Sequence, residues 1–171
     1  MSRRGRLRLA ALVAGISAIG IVVLAVYFST RGGDEDTGLP LGLETRAAGA
    51  PFAGFRETNL EIDGRCRRVA VADTEPLREE GLRGHASVGD YAGMLFVFDG
   101  ESDASFTMSG VTQPLEIGWY ASDGKRISGA HMAPCPDGVS ADCPIYSAGQ
   151  RYRVALERPG GSSSVGQLTP C

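Results

Sequence analysis

The sequence has few of the residues on which common active sites depend. Among 171 residues it has two histidines, His85 and His131, four cysteines and a single lysine. It contains no G-x-S-x-G nucleophile motif and no C-x-x-C pair. Without a recognisable nucleophile–base pair or metal-ligand spacing, the sequence predicts no particular reaction, and we expect no cofactor. This pattern favours a non-catalytic protein.

Acidic residues are missing from the beginning of the chain. All twenty of them follow Arg31, whereas five of the seventeen basic residues lie at or before it. From Gly32 onward, twelve basic and twenty acidic residues give a net charge of −8. Proteins that bind nucleic acid neutralise phosphates with basic patches, so we expect this part of the chain to bind neither nucleic acid nor anionic lipid headgroups.

Charged residues are also missing from 9–28, which reads LAALVAGISAIGIVVLAVYF. A helix rises about 1.5 Å per residue, so twenty residues cover roughly the 30 Å of a bilayer core. Four arginines within 1–8 precede this stretch, which predicts a cytoplasmic tail and a chain that continues outside. A cleaved signal peptide is the alternative, but its apolar region would be roughly 7–15 residues and no A-x-A site closes this one. We predict a signal-anchor, a single-pass transmembrane helix in the cell membrane.

Residues 29–51 are rich in Gly, Asp, Glu, Thr and Pro without apolar periodicity, which predicts a flexible linker. The remaining residues, 52–171, suffice for one extracytoplasmic domain with a modest core. Alternating apolar residues predict its strands. The predicted elements are strands at 57–62, 65–72, 94–98, 104–108, 115–120, 126–132 and 152–157, and a short helix at 75–80 with Thr74 as its N-cap.

Two features of this pattern indicate the fold class. Asp63-Gly64 and Asp123-Gly124 are typical of tight hairpin turns. The continuous apolar run MLFVF, 94–98, indicates a strand that is covered on both faces. With one short helix and no βαβ rhythm, the sequence predicts a mainly β (or α+β) domain, built as a compact antiparallel sheet or a small barrel.

Several segments also occur in a familiar order: VADTEPLREEGLRG, GMLFVF, FTM, PLEIGWYASDG and YRVALE. Together they resemble the domain of unknown function 192 family of bacteria and archaea, over roughly 60–159. The resemblance implies a compact β-rich fold and, in many members, export, but it implies no reaction. The matching positions are Arg78, Gly81, Leu82, Gly93, Met94, Phe106, Met108, Pro114 and Leu115. The sequence departs from the family at 106–111, where FTMSGV replaces the usual FWMKNT, and at His85, where an arginine is usual.

Four cysteines in a small exported domain predict two disulfides. Cys135 and Cys143 flank a short loop of Pro, Asp and Gly, which favours their pairing and leaves Cys66 with Cys171. The sequence itself admits three connectivities. A zinc or copper site that uses these two loop cysteines with His131 and Met132 is the alternative, and the oxidising compartment favours the disulfide.

Two functional classes therefore remain open. The first is a membrane-tethered binding or accessory module of the cell envelope, whose partner is a small molecule or an envelope protein. The second is an enzyme or metal-binding protein whose site is assembled from dispersed polar residues. The candidate residues for such a site are Arg78, Asp73, His85 and Glu116. The lack of any catalytic or metal-binding motif favours the first class.

Overall fold

The structure, a computed structural model, describes residues 39–136 and 142–171. These residues form a seven-stranded sheet, a two-stranded sheet, one short helix and one 3-10 turn. The elements are a 3-10 turn at Pro40–Gly42, β1 (Arg46–Ala47), β2 (Arg56–Ile62), β3 (Arg65–Ala72), α1 (Glu75–Glu80), β4 (Met94–Ser102), β5 (Phe106–Thr107), β6 (Leu115–Tyr120), β7 (Arg126–Met132), β8 (Ile145–Tyr146) and β9 (Tyr152–Pro159).

The large sheet has the linear order β1-β2-β3-β4-β9-β6-β7, and β5 pairs with β8 in the small sheet. The mainly β fold with one short helix is therefore confirmed. The expectation of an antiparallel sheet is wrong at one position, because β3 and β4 are parallel. The chain crosses over through α1 between these two strands, which returns it to the same end of the sheet. The sheet is mixed. Its strands have a linear order with β1 and β7 at the two edges, so the predicted alternative of a barrel is not observed.

Both faces of the sheet are covered by apolar residues. We call the group that includes Leu77 and Leu82, from α1 and the residues after it, the helix-side cluster. We call the group on the opposite face, which includes Val165 and Leu168, the terminal-side cluster. In β4, Met94 and Phe96 join the helix-side cluster, whereas Leu95 and Val97 join the terminal-side cluster. This alternation confirms that the MLFVF strand is covered on both faces.

Local sequence signals explain several of the boundaries. Asp63 and Gly64 have φ angles of 54° and 69°, as a tight β-hairpin turn requires, and they connect β2 to β3. Thr74 occupies the N-cap position of α1, but its side chain makes no capping hydrogen bond. Gly81 ends the helix with a φ of 51°. The predicted hairpin turn at Asp123-Gly124 connects β6 to β7.

The folded unit begins before the predicted domain boundary at Phe52. Within the predicted linker, 29–51, Leu43 is buried and β1 pairs with β2. The predicted transmembrane helix at 9–28 lies outside the described residues. In the part of the chain that the structure does describe, no helix is both long enough and apolar enough to cross a membrane.

The two predicted disulfides are present. Cys135 and Cys143 are bonded with their Cα atoms 6.0 Å apart, and Cys66 and Cys171 are bonded with theirs 5.8 Å apart. The second bridge holds the C-terminal segment against the sheet, where the backbone of Pro170 also pairs with Leu60 of β2. The thiolates that the metal alternative requires are therefore consumed in disulfide bonds.

Candidate functional site

A cleft of about 420 Å³ opens on the helix-side face of the sheet, between α1 and β5. Its volume lies within the range of roughly 300–1,000 Å³ that is typical of small-molecule sites. The residues that line it are Glu75, Arg78, Glu79, Glu80, Gly81, Leu82, Arg83, Phe96, Phe98, Ala104, Ser105, Phe106, Thr107, Val111 and Glu157.

Aromatic rings form much of the cleft wall. Phe96 and Phe98 come from β4, and Phe106 comes from β5. The rings of Phe96 and Phe106 meet edge to face, with centroids 5.1 Å apart and planes at 89°. Gly81 ends α1 beside this wall with a φ of 51°, and a Cβ at that position would be in ordinary contact with Cζ of Phe96, at 3.4 Å. The wall is therefore built by helix–sheet packing as well as by the strands.

Glu157 is the charged residue of the cleft that the sheet itself supplies. It lies on β9 opposite Met94 and Ile117, so its side chain points into the same face as these helix-side cluster residues. It is 5% exposed. Gly93 permits this arrangement, because a Cβ at that position would lie 2.0 Å from the backbone oxygen of Glu157. The backbone of β9 can therefore pack closely only where residue 93 has no side chain.

The carboxyl group of Glu157 has no hydrogen bond or ion pair with any residue that the structure describes. Burial disfavours its charged form and raises its pKa to about 8. At neutral pH this carboxyl is therefore mainly protonated. Its oxygens are not among the fully buried side-chain atoms that lack a partner, so a molecule in the cleft can reach them.

Arg78 is the residue among the four sequence-predicted candidates that lines the cleft. Its Nη1 atom donates hydrogen bonds to the backbone oxygens of Asp73, at 3.0 Å, and Val97, at 2.7 Å. Its guanidinium lies 5.0 Å from the ring centroid of Phe98. These contacts hold the arginine against the wall. Asp73 contributes its backbone oxygen here, and its side chain lies 4.0 Å from Nε of Arg56.

The other predicted residues lie elsewhere. The ring of His85 packs 4.8 Å from that of Phe52, and its Nε2 lies 3.9 Å from Oε1 of Glu80. Glu116 of β6 and His131 of β7 form their own exposed pair, with Oε1 and Nδ1 2.9 Å apart. Met132 is fully buried in the helix-side cluster. Within 39–136 and 142–171, no group of three or more His, Cys, Asp or Glu side chains is arranged to hold a metal ion.

A second buried glutamate, Glu57 on β2, has a contrasting environment. It accepts a hydrogen bond from the hydroxyl group of Tyr91, and its Oε1 lies 2.7 Å from Nη2 of Arg46. Nε of Arg68 lies 3.9 Å from its other oxygen. The hydrogen bond from Tyr91, with further help from the two arginines, lowers the pKa of Glu57 against the opposing effect of burial. Glu57 is thus an internally paired structural carboxylate.

Glu157 was not among the residues predicted from the sequence. By alternation it shares a face of the predicted strand 152–157 with Arg153 and Ala155, so Ala155 alone indicated that this glutamate would be buried. Such a glutamate needs either a partner within the fold or a ligand.

The structure thus defines a small β-rich domain with a ligand-sized cleft on the helix-covered face of its sheet. Residues 58–170 match the model of the DUF192 family, described as "Uncharacterized ACR, COG1430". The chain belongs to this family. The match includes every residue that lines the cleft. The segment FTMSGV, 106–111, supplies Phe106, Thr107 and Val111 to the cleft wall.

Two solved structures share the fold. One is a protein of unknown function from Novosphingobium aromaticivorans DSM 12444, with 21% identity over 69% of this chain and 82% of that chain and a TM-score of 0.54. The other is a proposed transcription regulator from Sinorhizobium meliloti 1021, with 24% identity over 67% of this chain and 92% of that chain and a TM-score of 0.53. At these identities the likeness shows the fold alone. Comparison with curated protein sequences gives no significant match.

Proposed function

We propose that this protein is a non-catalytic binding module of the cell envelope, and that the cleft between α1 and β5 is its ligand site. One observation carries the proposal: Glu157 is buried at an aromatic-lined cleft and has no partner within the described residues. A fold that retains an unpaired buried carboxyl forgoes stability, and a ligand that supplies the missing partner would restore it.

The proposed location is outside the cytoplasm, with 9–28 as the membrane anchor. The support is the charge asymmetry of the sequence, with four arginines before the apolar stretch and a strongly acidic chain after it. Two disulfides are consistent with an oxidising compartment, since cytosolic proteins rarely keep such bonds. A small molecule is the favoured ligand because the cleft is concave, and an envelope protein is the alternative partner.

An enzymatic role is the second candidate. A carboxyl group with a pKa near 8 suits a general acid or base at neutral pH, and the hydroxyl-bearing residues Ser105 and Thr107 line the same cleft. Binding is favoured because neither hydroxyl is hydrogen-bonded to Glu157 in the described part of the chain. A nucleophile normally lies within hydrogen-bond reach of its base.

A ligand screen with a blocked cleft tests the binding proposal. The full-length chain is screened by thermal shift against small aromatic amines, alcohols and carboxylic acids. At one hundred times its dissociation constant, a ligand should stabilise the protein by about 2.7 kcal/mol. Ser105→Trp should remove the shift, because this exposed residue lines the cleft. Ser122→Trp, at the exposed β6–β7 turn, is the matched control and should keep it.

A shift that survives Ser105→Trp would place the ligand elsewhere and contradict the proposal. Rapid conversion of a screened compound, lost on substitution of Glu157 with glutamine, would favour the enzyme instead.

Topology is tested separately. A reporter fused after Cys171 should be active only outside the cytoplasm, and the protein should stay with membranes after a carbonate wash. Release of a shortened, soluble form would replace the anchor with a cleaved signal peptide.

A further inference from the structure

We propose that the cleft is a site for a small organic cation, an amine with an apolar body, whose ammonium group lies beside Glu157. This inference rests on the proposed function and names its ligand class.

The position of Glu157 is the first argument. The residue is 5% exposed and lines the cleft, and its carboxyl has no partner among the described residues. A buried carboxylate needs an opposite charge or several hydrogen-bond donors. A primary ammonium supplies both, because it carries a positive charge and three N–H donors. A ligand carboxylate or phosphate would instead meet a second negative charge whenever Glu157 is ionised.

The other charged residues of the cleft also favour a positively charged ligand. They come from α1 and the residue range just after it: Glu75, Arg78, Glu79, Glu80 and Arg83. With Glu157 included, four carboxyl groups face two guanidinium groups. Arg78 is held in place by two backbone oxygens and keeps its charge. The carboxyl groups of the lining nevertheless outnumber its guanidinium groups, which favours a positively charged ligand.

The apolar wall indicates what the ammonium is attached to. Phe96, Phe98 and Phe106 provide ring surface for an aromatic or aliphatic group. Ring faces also attract cations, and the guanidinium of Arg78 already lies 5.0 Å from the ring centroid of Phe98. An amine with an apolar body uses both properties of the wall.

Binding of such a cation requires Glu157 to lose its proton. Burial raises the pKa of this carboxyl to about 8, and an adjacent ammonium would lower it. The apparent affinity should therefore rise by about tenfold per pH unit as the pH approaches 8, and then level off. Below pH 8, each amine bound should release up to one proton.

The test uses 2-phenylethylamine as the probe and 2-phenylethanol as its neutral analogue. Both are titrated calorimetrically into the detergent-solubilised full-length chain at pH 6.5, 7.5 and 8.5. The amine should bind at least tenfold more tightly than the alcohol at pH 8.5, and its affinity should rise across the series. Glu157→Gln should weaken amine binding at least tenfold and abolish the pH dependence. Glu61→Gln, an exposed position on β2, is the control and should change neither.

The outcomes separate this inference from the proposed function. If the alcohol binds as tightly as the amine and Ser105→Trp blocks both, the cleft is a binding site but not a cation site. If neither compound binds and the wider screen also finds no cleft ligand, both proposals fail. Should Glu157→Gln not fold, proton release by the wild-type chain decides the question. Titration at pH 7 in buffers of different ionisation enthalpy should show release of up to one proton on amine binding, and no release would overturn the inference.

Discussion

The two buried glutamates of this domain have the same residue type, similar burial and opposite electrostatic behaviour. Glu57 and Glu157 are 4% and 5% exposed. They lie on the same face, in one row across the sheet that runs from Glu57 through Ala70 and Met94 to Glu157. The pKa of Glu57 is lowered, whereas that of Glu157 is raised to about 8. The exposed fraction alone therefore does not determine the charge of a carboxyl; its depth below the surface and its partners do.

Their places in the sheet explain the difference. Glu57 lies on β2 beside the short edge strand β1, so Arg46 can reach it from β1. Tyr91 reaches it from the chain before β4. Glu157 lies on β9, between β4 and β6, where its cross-strand neighbours Met94 and Ile117 offer no polar side chain. The fold pairs the carboxyl of Glu57, whereas the carboxyl of Glu157 faces the cleft and has no partner among the residues that the structure describes.

Removing the paired carboxyl should have the largest effect on stability. Glu57→Ala leaves the hydroxyl of Tyr91 and the guanidinium of Arg46 without their acceptor. Loss of one partner of a buried ion pair typically costs about 3–5 kcal/mol, and the exposure of Arg46 places the expected loss near the lower value. Denaturant unfolding at pH 7 measures it. Glu61→Ala, an exposed control on the same strand, should stay within about 0.5 kcal/mol of wild type. Equal losses of unfolding free energy in Glu57→Ala and Glu61→Ala would show that the carboxyl of Glu57 is not stabilised by its partners.

The unpaired carboxyl should instead show itself in the pH dependence of stability. The folded-state pKa of Glu157 is raised from 4.5 to about 8, so the folded state binds more protons than the unfolded state between these values. Stability should therefore fall as the pH rises through this window, by about 1.4 kcal/mol per pH unit. Over two pH units this amounts to about 3 kcal/mol.

Glu157→Gln should flatten this decline and be more stable than wild type at pH 8, because an amide does not titrate. Unfolding by denaturant at pH 5, 6, 7 and 8 compares the two proteins. A variant less stable than wild type at pH 8, with its slope unchanged, would show that this carboxyl is ionised and paired.

The smallest expected effect belongs to the hydroxyl group of Tyr91. Tyr91→Phe removes the donor that contributes most to the lowered pKa of Glu57, and it also removes the acceptor of the Gly49 N–H, which lies 2.9 Å away. A hydrogen bond to a charged group contributes about 1.5–3 kcal/mol, so a loss near 1.5 kcal/mol is expected. The variant should also unfold at a higher pH on acidification, because a carboxyl with a lowered pKa stabilises the fold above its usual pKa and loses that contribution as the pH falls.

The exposed Asp63 shares this acid response, because hydrogen bonds from Ser163 and Arg158 lower its pKa as well. Glu57→Gln therefore provides the reference for Tyr91→Phe. If Tyr91→Phe shifts the acid transition in the Glu57→Gln background as much as in wild type, the hydrogen bond is not the cause.

Much of the fold could be predicted from the sequence because its signals are local. The predicted bounds of β3, β6 and β7 agree with the structure, since alternation and Asp-Gly turns act over a few residues. The parallel pairing of β3 with β4 was missed because α1 has only six residues and does not resemble the longer helix of a usual crossover. The short strands β1 and β8 pair over two residues each and leave little periodicity to detect.

The site was less predictable than the fold. The cleft takes residues from α1, β4, β5 and β9, and no local pattern reports that four distant segments meet. Arg78 was proposed for its chemistry and does line the cleft. Glu116 and His131 were proposed on the same grounds and instead pair with each other across β6 and β7. Strand alternation could have predicted the face of the sheet on which Glu157 lies. It could not have predicted that a cleft is located at this face.

The strand order also determines when two neighbouring strands can pair during folding. β9 lies between β4 and β6, although β4 precedes it by about fifty residues in the chain. When the chain is synthesised or exported from the N-terminus, β4 emerges before β9. Until β9 pairs with it, the backbone edge of β4 that faces β9 and its apolar residues remain uncovered. Unpaired apolar strand edges promote aggregation, and long-range strand pairing is slow. Glu157 lies on β9. The pairing of β9 with β4 therefore both covers the exposed strand edge and adds the carboxyl group to the cleft.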